Sequence, residues 1–172
     1  MLDVLKFRRS CKKYDPERAV ETEKIQEIIN AGLNAPSAKN CQNAMVVAVT
    51  NKEIRDKMSE FNASVMNASG IDPFYGAPVV LFVMGKIDPN VKYDGSIMIE
   101  NMLLEAYNQG LGACWIHRAK QELEIPEFRE LLKSTGLNLE EYEGIGHVVL
   151  GYSIQEKYPE KTIKEGRVFW IK

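Results

Sequence analysis

The stretch that most limits the fold is DGSIMIENMLLEAYNQ, residues 94–109. Its Ile, Met and Leu residues fall on several sides of a 3.6-residue helix, so one narrow stripe of contact cannot shelter them. The pattern predicts a buried central helix, closed by Gly110 as its C-terminal cap. Covers for it must come from the rest of a 172-residue chain. A chain of that length is expected to form one domain, 1–172, burying roughly two thirds of its unfolded surface.

Four short apolar runs supply strands: MVVAVT at 45–50, APVVLFVMG at 77–85, ACWIH at 113–117 and GIGHVVLGY at 144–152. Between them lie helical patterns. Residues 1–9 form a short one. A second runs from an N-cap at Thr22 to Leu33, with Ile25, Ile28, Ile29 and Leu33 in its stripe. A third carries Ile54, Met58, Phe61 and Val65, and a fourth covers about 126–134 with Pro126 in its first turn. The order α, α, β, α, β, α, β, α, β implies one sheet of four or five strands with helices on its faces. The tail, 153–172, is polar yet ends in Val168, Phe169, Trp170 and Ile171. Such a tip needs a surface to pack on, either its own domain or a partner subunit.

Composition removes several functions. The formal charge of −2 argues against a general nucleic-acid surface, which is basic over a whole face. Cys11, Cys41 and Cys114 are far apart and lack C-x-x-C spacing, so neither a metal site nor a disulfide framework is expected. Free thiols suit a reducing, cytoplasmic setting. No signal peptide is expected, and APVVLFVM is too short to span a bilayer, so no membrane partner is expected either. P-loop, nucleophile-elbow and metalloprotease motifs are absent, and GLGAC precedes a strand rather than a helix.

Against that background, RRSCKK at 8–13 stands out. In an extended segment Arg8, Ser10 and Lys12 would point the same way, offering a fork, a hydroxyl and a point charge to one anion. A solvated surface is the plainer reading of a basic run. APSAKNCQN at 35–43 has the amides and small residues to recognise a flat polar heterocycle, and equally those of an ordinary turn. In GLGACWIHR at 110–118, Cys114 and His117 are three apart and face opposite ways on a strand, which disfavours a nucleophile–base pair. His147, inside an apolar strand, reads as a core residue. The cations of EKYPEKTIKEGR, including Lys161, read as a solvated tail.

Taken in order, RRSCKKYD, APSAKNCQN, APVVLFV, IENMLLEAYNQGLGACWI and GHVVLGY with the basic tail behind it resemble the nitroreductase family of FMN-dependent oxidoreductases. The resemblance implies an α+β fold with a mainly antiparallel central sheet flanked by helices, an intertwined homodimer, and FMN at the subunit interface. It implies that Arg8, Arg9 and Ser10 hold the ribityl phosphate, with Lys161 completing that site, and that Lys12 lies near the flavin's pyrimidine edge. Pro36, Ser37, Ala38 and Asn40 would approach from the other subunit, and Ile116 and His117 would line the isoalloxazine. No protein group is expected to be catalytic, since the flavin carries the chemistry. NADH or NADPH would donate electrons, and a nitroaromatic or quinone would accept them in a ping-pong cycle.

Two departures from the family pattern stand out. Asn43 and Ala44 replace the usual Pro-Trp after the Gln, and His117 and Arg118 stand where small glycines are common. The bulkier pair would narrow or charge the substrate side of the flavin. That motivates an alternative, a flavin-binding, storage or sensor module without significant turnover.

Overall fold

The computed structural model describes residues 1–172. Its four strands, β1 (Ala44–Val49), β2 (Val79–Lys86), β3 (Gly112–Ile116) and β4 (Tyr142–Gly151), form one sheet in the order β1-β2-β4-β3. Every neighbouring pair in it is antiparallel. The helices are α1 (Asp3–Phe7), α2 (Thr22–Leu33), α3 (Lys52–Val65), α4 (Val91–Asn108), α5 (Ala119–Leu123) and α6 (Pro126–Leu131).

Antiparallel sheets commonly leave one face to water. Here β2 is buried at every position from Val79 to Gly85. Val79, Leu81 and Val83 pack into the core beneath α2 and α4, while Val80, Phe82 and Met84 pack into the opposite one beneath α3, α5 and α6. The two-residue alternation of side chains along an unbroken apolar run therefore builds two cores, one on each side.

The central helix α4 begins three residues before the predicted stretch, and α2 packs along it with Gly32 against Met98 and Met102. One chain does not enclose it fully. Tyr93, Ile97 and Tyr107 remain exposed along one side. Gly110 takes φ +74 just beyond the helix, as a C-terminal cap requires.

Some boundaries differ from the sequence expectation. Thr22 is the first residue of α2 rather than its cap, and no side chain caps that end. The helix after Pro126 stops at Leu131 and continues as a tighter turn over Lys133–Thr135. Strand β4 carries one extra residue, Ile145, opposite the Val83–Met84 step. Beside this bulge Gly144 lets α5 approach: a Cβ there would overlap the Ala119 carbonyl. Backbone contact at that point fixes where α5, and the turn just before it, can sit.

Candidate functional site

Three segments singled out by sequence meet the ends and edges of the sheet. The first is 8–14. After α1 the chain runs extended beside β3, where Ser10 bridges Ala113 and the Cys11 N–H donates to the Ala113 carbonyl at 2.9 Å. Cys11 is buried, and Tyr14 donates its hydroxyl to the Cys11 carbonyl at 2.9 Å. Anchoring these residues turns Ser10 and Lys12 outward, as the alternation requires.

Arg8 and Lys12 stand close enough to act on Cys114. Burial pushes that thiol up, and contact with Ser10 and the charges of Lys12 and Arg8 pull part of the shift back. Arg9 is held differently. Its Nε donates to the Pro159 carbonyl at 3.2 Å, and its Nη1 to the Lys6 and Arg8 carbonyls, both at 2.8 Å. Arg9 and Lys161 line one cavity of about 760 Å³ with Phe7 and Tyr158. No carboxylate pairs with Arg8, Arg9, Lys12 or Lys161.

The second segment is 36–42. Lys39, Asn40 and Gln42 have φ values of 53, 56 and 50, in the left-handed region that L side chains avoid. Each costs of order 1 kcal/mol or more unless its surroundings fix it. Asp94 does much of the fixing: the Ala38 N–H donates to both its oxygens, at 3.1 and 3.2 Å, and the Cys41 Sγ lies 3.6 Å away. Ser37 Oγ accepts from the Gln42 N–H at 3.0 Å. Pro36 and Ser37 line a small cleft beside Asp94 and Met98, while Asn40 is exposed.

The third segment is 116–118, where β3 ends. The Ile116 side chain is buried in the core and its carbonyl meets His147 Nδ1 at 3.3 Å. The His117 carbonyl accepts from Asn62 Nδ2 at 2.9 Å, and the Arg118 carbonyl from the Glu122 N–H at 2.9 Å. All three carbonyls are thus taken. The N–H groups of His117 and Arg118 find no acceptor within the chain. His117 is exposed, its ring 5.7 Å from that of Trp115, whereas Cys114 is buried, so the two form no dyad.

Sequence reasoning missed four contributors. Asn62 is fully buried on α3 and gives both its polar atoms to residues 117 and 118. Tyr75, at φ 57, places its ring centroid 5.5 Å from Lys12 Nζ. Asp72 holds the loop before β2. It accepts from Arg55 at 2.5 Å, Ser59 at 2.6 Å and the N–H groups of Phe74 and Gly76. Burial pushes the Asp72 carboxyl up, but those bonds outweigh it and leave it below its ordinary value. The fourth is Glu122, whose carboxylate lies 3.0 Å from His147 Nε2 with neither side chain exposed. The approach is too oblique for a hydrogen bond. In sequence nothing marks these residues: Asn62 and Glu122 are distinguished by the exceptional burial of a polar group, and Asp72 by the bonds it gathers.

The segments do not all meet. Residues 8–12 and 116–118 lie with β3, and 36–42 leads into β1, at the opposite edge of the sheet. Three strand spacings separate those edges, about 14 Å.

The fold defines an α+β protein with these loop clusters arranged around a doubly covered antiparallel sheet. Residues 5–152 match the model of the Nitroreductase family, and the chain belongs to that family. It is 33% identical over 141 residues to a protein of Archaeoglobus fulgidus, covering 76% of this chain and 75% of that one. That relative is provisionally named an NADH dehydrogenase/NAD(P)H nitroreductase. A Methanothermobacter thermautotrophicus protein with the same provisional name is 33% identical over 123 residues, 67% of this chain but only 59% of that relative. Among solved structures, the crystal structure of a nitroreductase with bound FMN from Bacteroides fragilis superposes with a TM-score of 0.88. It is 25% identical, with 99% of this chain and 97% of that one covered. An FMN-dependent nitroreductase from Clostridium difficile gives 0.79 at 26% identity, covering 99% and 98%.

Proposed function

We propose that the protein is an FMN-dependent NAD(P)H oxidoreductase that passes electrons to an electron-poor acceptor, a nitroaromatic or a quinone. The observation that carries this reading is the pairing of unneutralised cations beside β3 with two unclaimed N–H groups at its end. A flavin mononucleotide fits both. Its phosphate carries about −1.5 to −2 charges, by analogy with protein phosphates, and suits Arg8, Arg9, Ser10 and Lys161. A ring nitrogen acceptor suits the His117 and Arg118 N–H groups.

Bound FMN would supply two-electron chemistry, accepting hydride from a reduced nicotinamide and passing it on. The chain's own residues position it and shape its surroundings. Lys12 holds a positive charge at the pyrimidine edge, where negative charge gathers on reduction. Ile116 supplies backbone and His117 an exposed ring alongside the isoalloxazine. Donor and acceptor would use the same open side in turn, which is the ping-pong order.

A second copy of the chain would complete the site. Pro36, Ser37, Ala38 and Asn40 flank the far edge of the sheet, and only a partner could bring them to residues 8–12 without refolding. The open stripe of α4 and the tail support a homodimer: Phe169 is 87% and Trp170 81% exposed. We read 1–172 as one domain whose tail, 153–172, packs on that partner, and place the protein in the cytoplasm. No helix is long and apolar enough to cross a membrane.

The test is an anaerobic absorbance spectrum of FMN-loaded protein before and after NADH or NADPH. Bleaching of the flavin band is expected; protein that takes up no FMN refutes the reading. Bound flavin that neither nucleotide reduces would instead favour a storage or sensor module, which the exposed His117 and adjacent Arg118 motivate.

A further inference from the structure

Arg118 occupies a position that its side chain should avoid. Its φ is +81, a left-handed conformation that glycine adopts freely and that costs any other residue about 1 kcal/mol or more. The surroundings maintain it from both sides. Asn62 Oδ1 accepts from Arg118 Nε at 2.9 Å, and the same amide donates to the His117 carbonyl. Beyond it, the buried Ala119 and Glu122 lock α5 against β4.

What the strain secures is a cation. Arg118 is half-buried, bonds through Nε alone, and has no carboxylate within ion-pairing range. Its two Nη groups form a free planar fork, the geometry that receives a carboxylate bidentately. A partly desolvated charge without a counter-ion, held in a strained backbone by a fully buried amide, is costly to fold unless an anion uses it. Lys120, two residues on, cannot substitute, because Glu143 already neutralises it at 3.0 Å.

We propose that Arg118 is a specificity-determining residue that selects electron acceptors carrying a carboxylate. The inference rests on the reading of 116–118 as the cofactor-facing segment. A nitrobenzoate is a suitable probe: its nitro group takes two electrons and two protons to become nitroso, releasing water, while the carboxylate is unchanged. The electrons and one proton come from NADH as hydride, and the second proton from solvent.

The experiment compares 4-nitrobenzoate with its methyl ester on FMN-loaded wild type, Arg118→Gly and Arg118→Lys. It also measures benzoate binding by calorimetry. For wild type, kcat/KM should favour the carboxylate over the ester. In Arg118→Gly that ratio should fall about 10- to 100-fold, the scale of one charge-assisted bidentate contact, and benzoate should bind correspondingly more weakly. Arg118→Lys should keep part of the preference. The melting temperature of Arg118→Gly should stay close to wild type, since relief of the backbone strain opposes the loss of the bond to the buried Asn62 amide. Equal loss with both acceptors, or unchanged benzoate affinity, overturns the assignment while leaving the flavin reading intact. Protein that takes up no FMN overturns both.

Discussion

The two faces of the sheet are lined by the same strands, yet they bury different chemistry. Beneath α2 and α4 the core is hydrocarbon and thioether, from Ile25 and Ile28 to Met98, Met102 and Leu103. Beneath α3, α5 and α6 the buried set also includes Arg55, Ser59, Asn62, Glu122 and His147. The polar groups are not scattered. Arg55 and Ser59 act through Asp72 on the loop that carries Tyr75, and Asn62 acts on Arg118. On the apolar face the one exception, Asp94, grips the loop with Lys39, Asn40 and Gln42. Buried polarity appears where loops must be held in conformations their residues would not choose. Apart from the loop that Asp94 grips, the apolar face has only two continuous helices to hold.

The sharpest way to break this contrast is at the buried pair. Glu122→Leu leaves His147 Nε2 facing hydrocarbon, and should lower unfolding free energy by about 3–5 kcal/mol in urea titration. Combining it with His147→Leu should recover much of that loss, because both polar groups then leave together. Additive losses in the double variant would mean that the two side chains do not act as a unit.

A cut of similar chemistry on the other face should be purely energetic. Met102→Ala removes a fully buried side chain and should cost about 2–5 kcal/mol, lowering the urea midpoint without lowering FMN uptake per folded protein. Reduced uptake at equal folded fraction would show that the apolar face shapes the loops too.

The smallest effect expected is a pH dependence at Asp72. Its folded carboxyl is held below the ordinary value, so its contribution is complete above the unfolded value, about pH 4, and declines as pH falls through the lower folded one. Asp72→Asn should flatten the fall in melting temperature on the acid side of that unfolded value. An unchanged profile would remove Asp72 from the account of how the Tyr75 loop is held.

Much of the fold was legible because it depends on pattern. Val79–Gly85 reads as a strand from its unbroken apolar run, and α4 reads as central because its apolar residues circle the axis. Boundaries were less legible: Thr22 looked like a cap, but it is the first residue of α2, and Glu21 before it makes no side-chain cap bond. For the site, RRSCKK, APSAKNCQN and CWIHR were visible as motifs. What held them was not. Asn62, Asp94 and Glu122 act across 25 to 56 positions and Asp72 across as many as 17, and nothing in their sequence neighbours announces it.

By itself the sequence determined four strands, a central helix, a short basic segment at 8–13, and membership of a known family. Those follow from local periodicity and residue chemistry. The tertiary structure decided the strand order and that the segments 8–12 and 36–42 stand at opposite edges of the sheet. It also decided that Arg118 sits in a glycine-like conformation with its fork free. These depend on strand order and on which buried amide or carboxylate meets which loop, and long-range contact of that kind leaves no period in the chain.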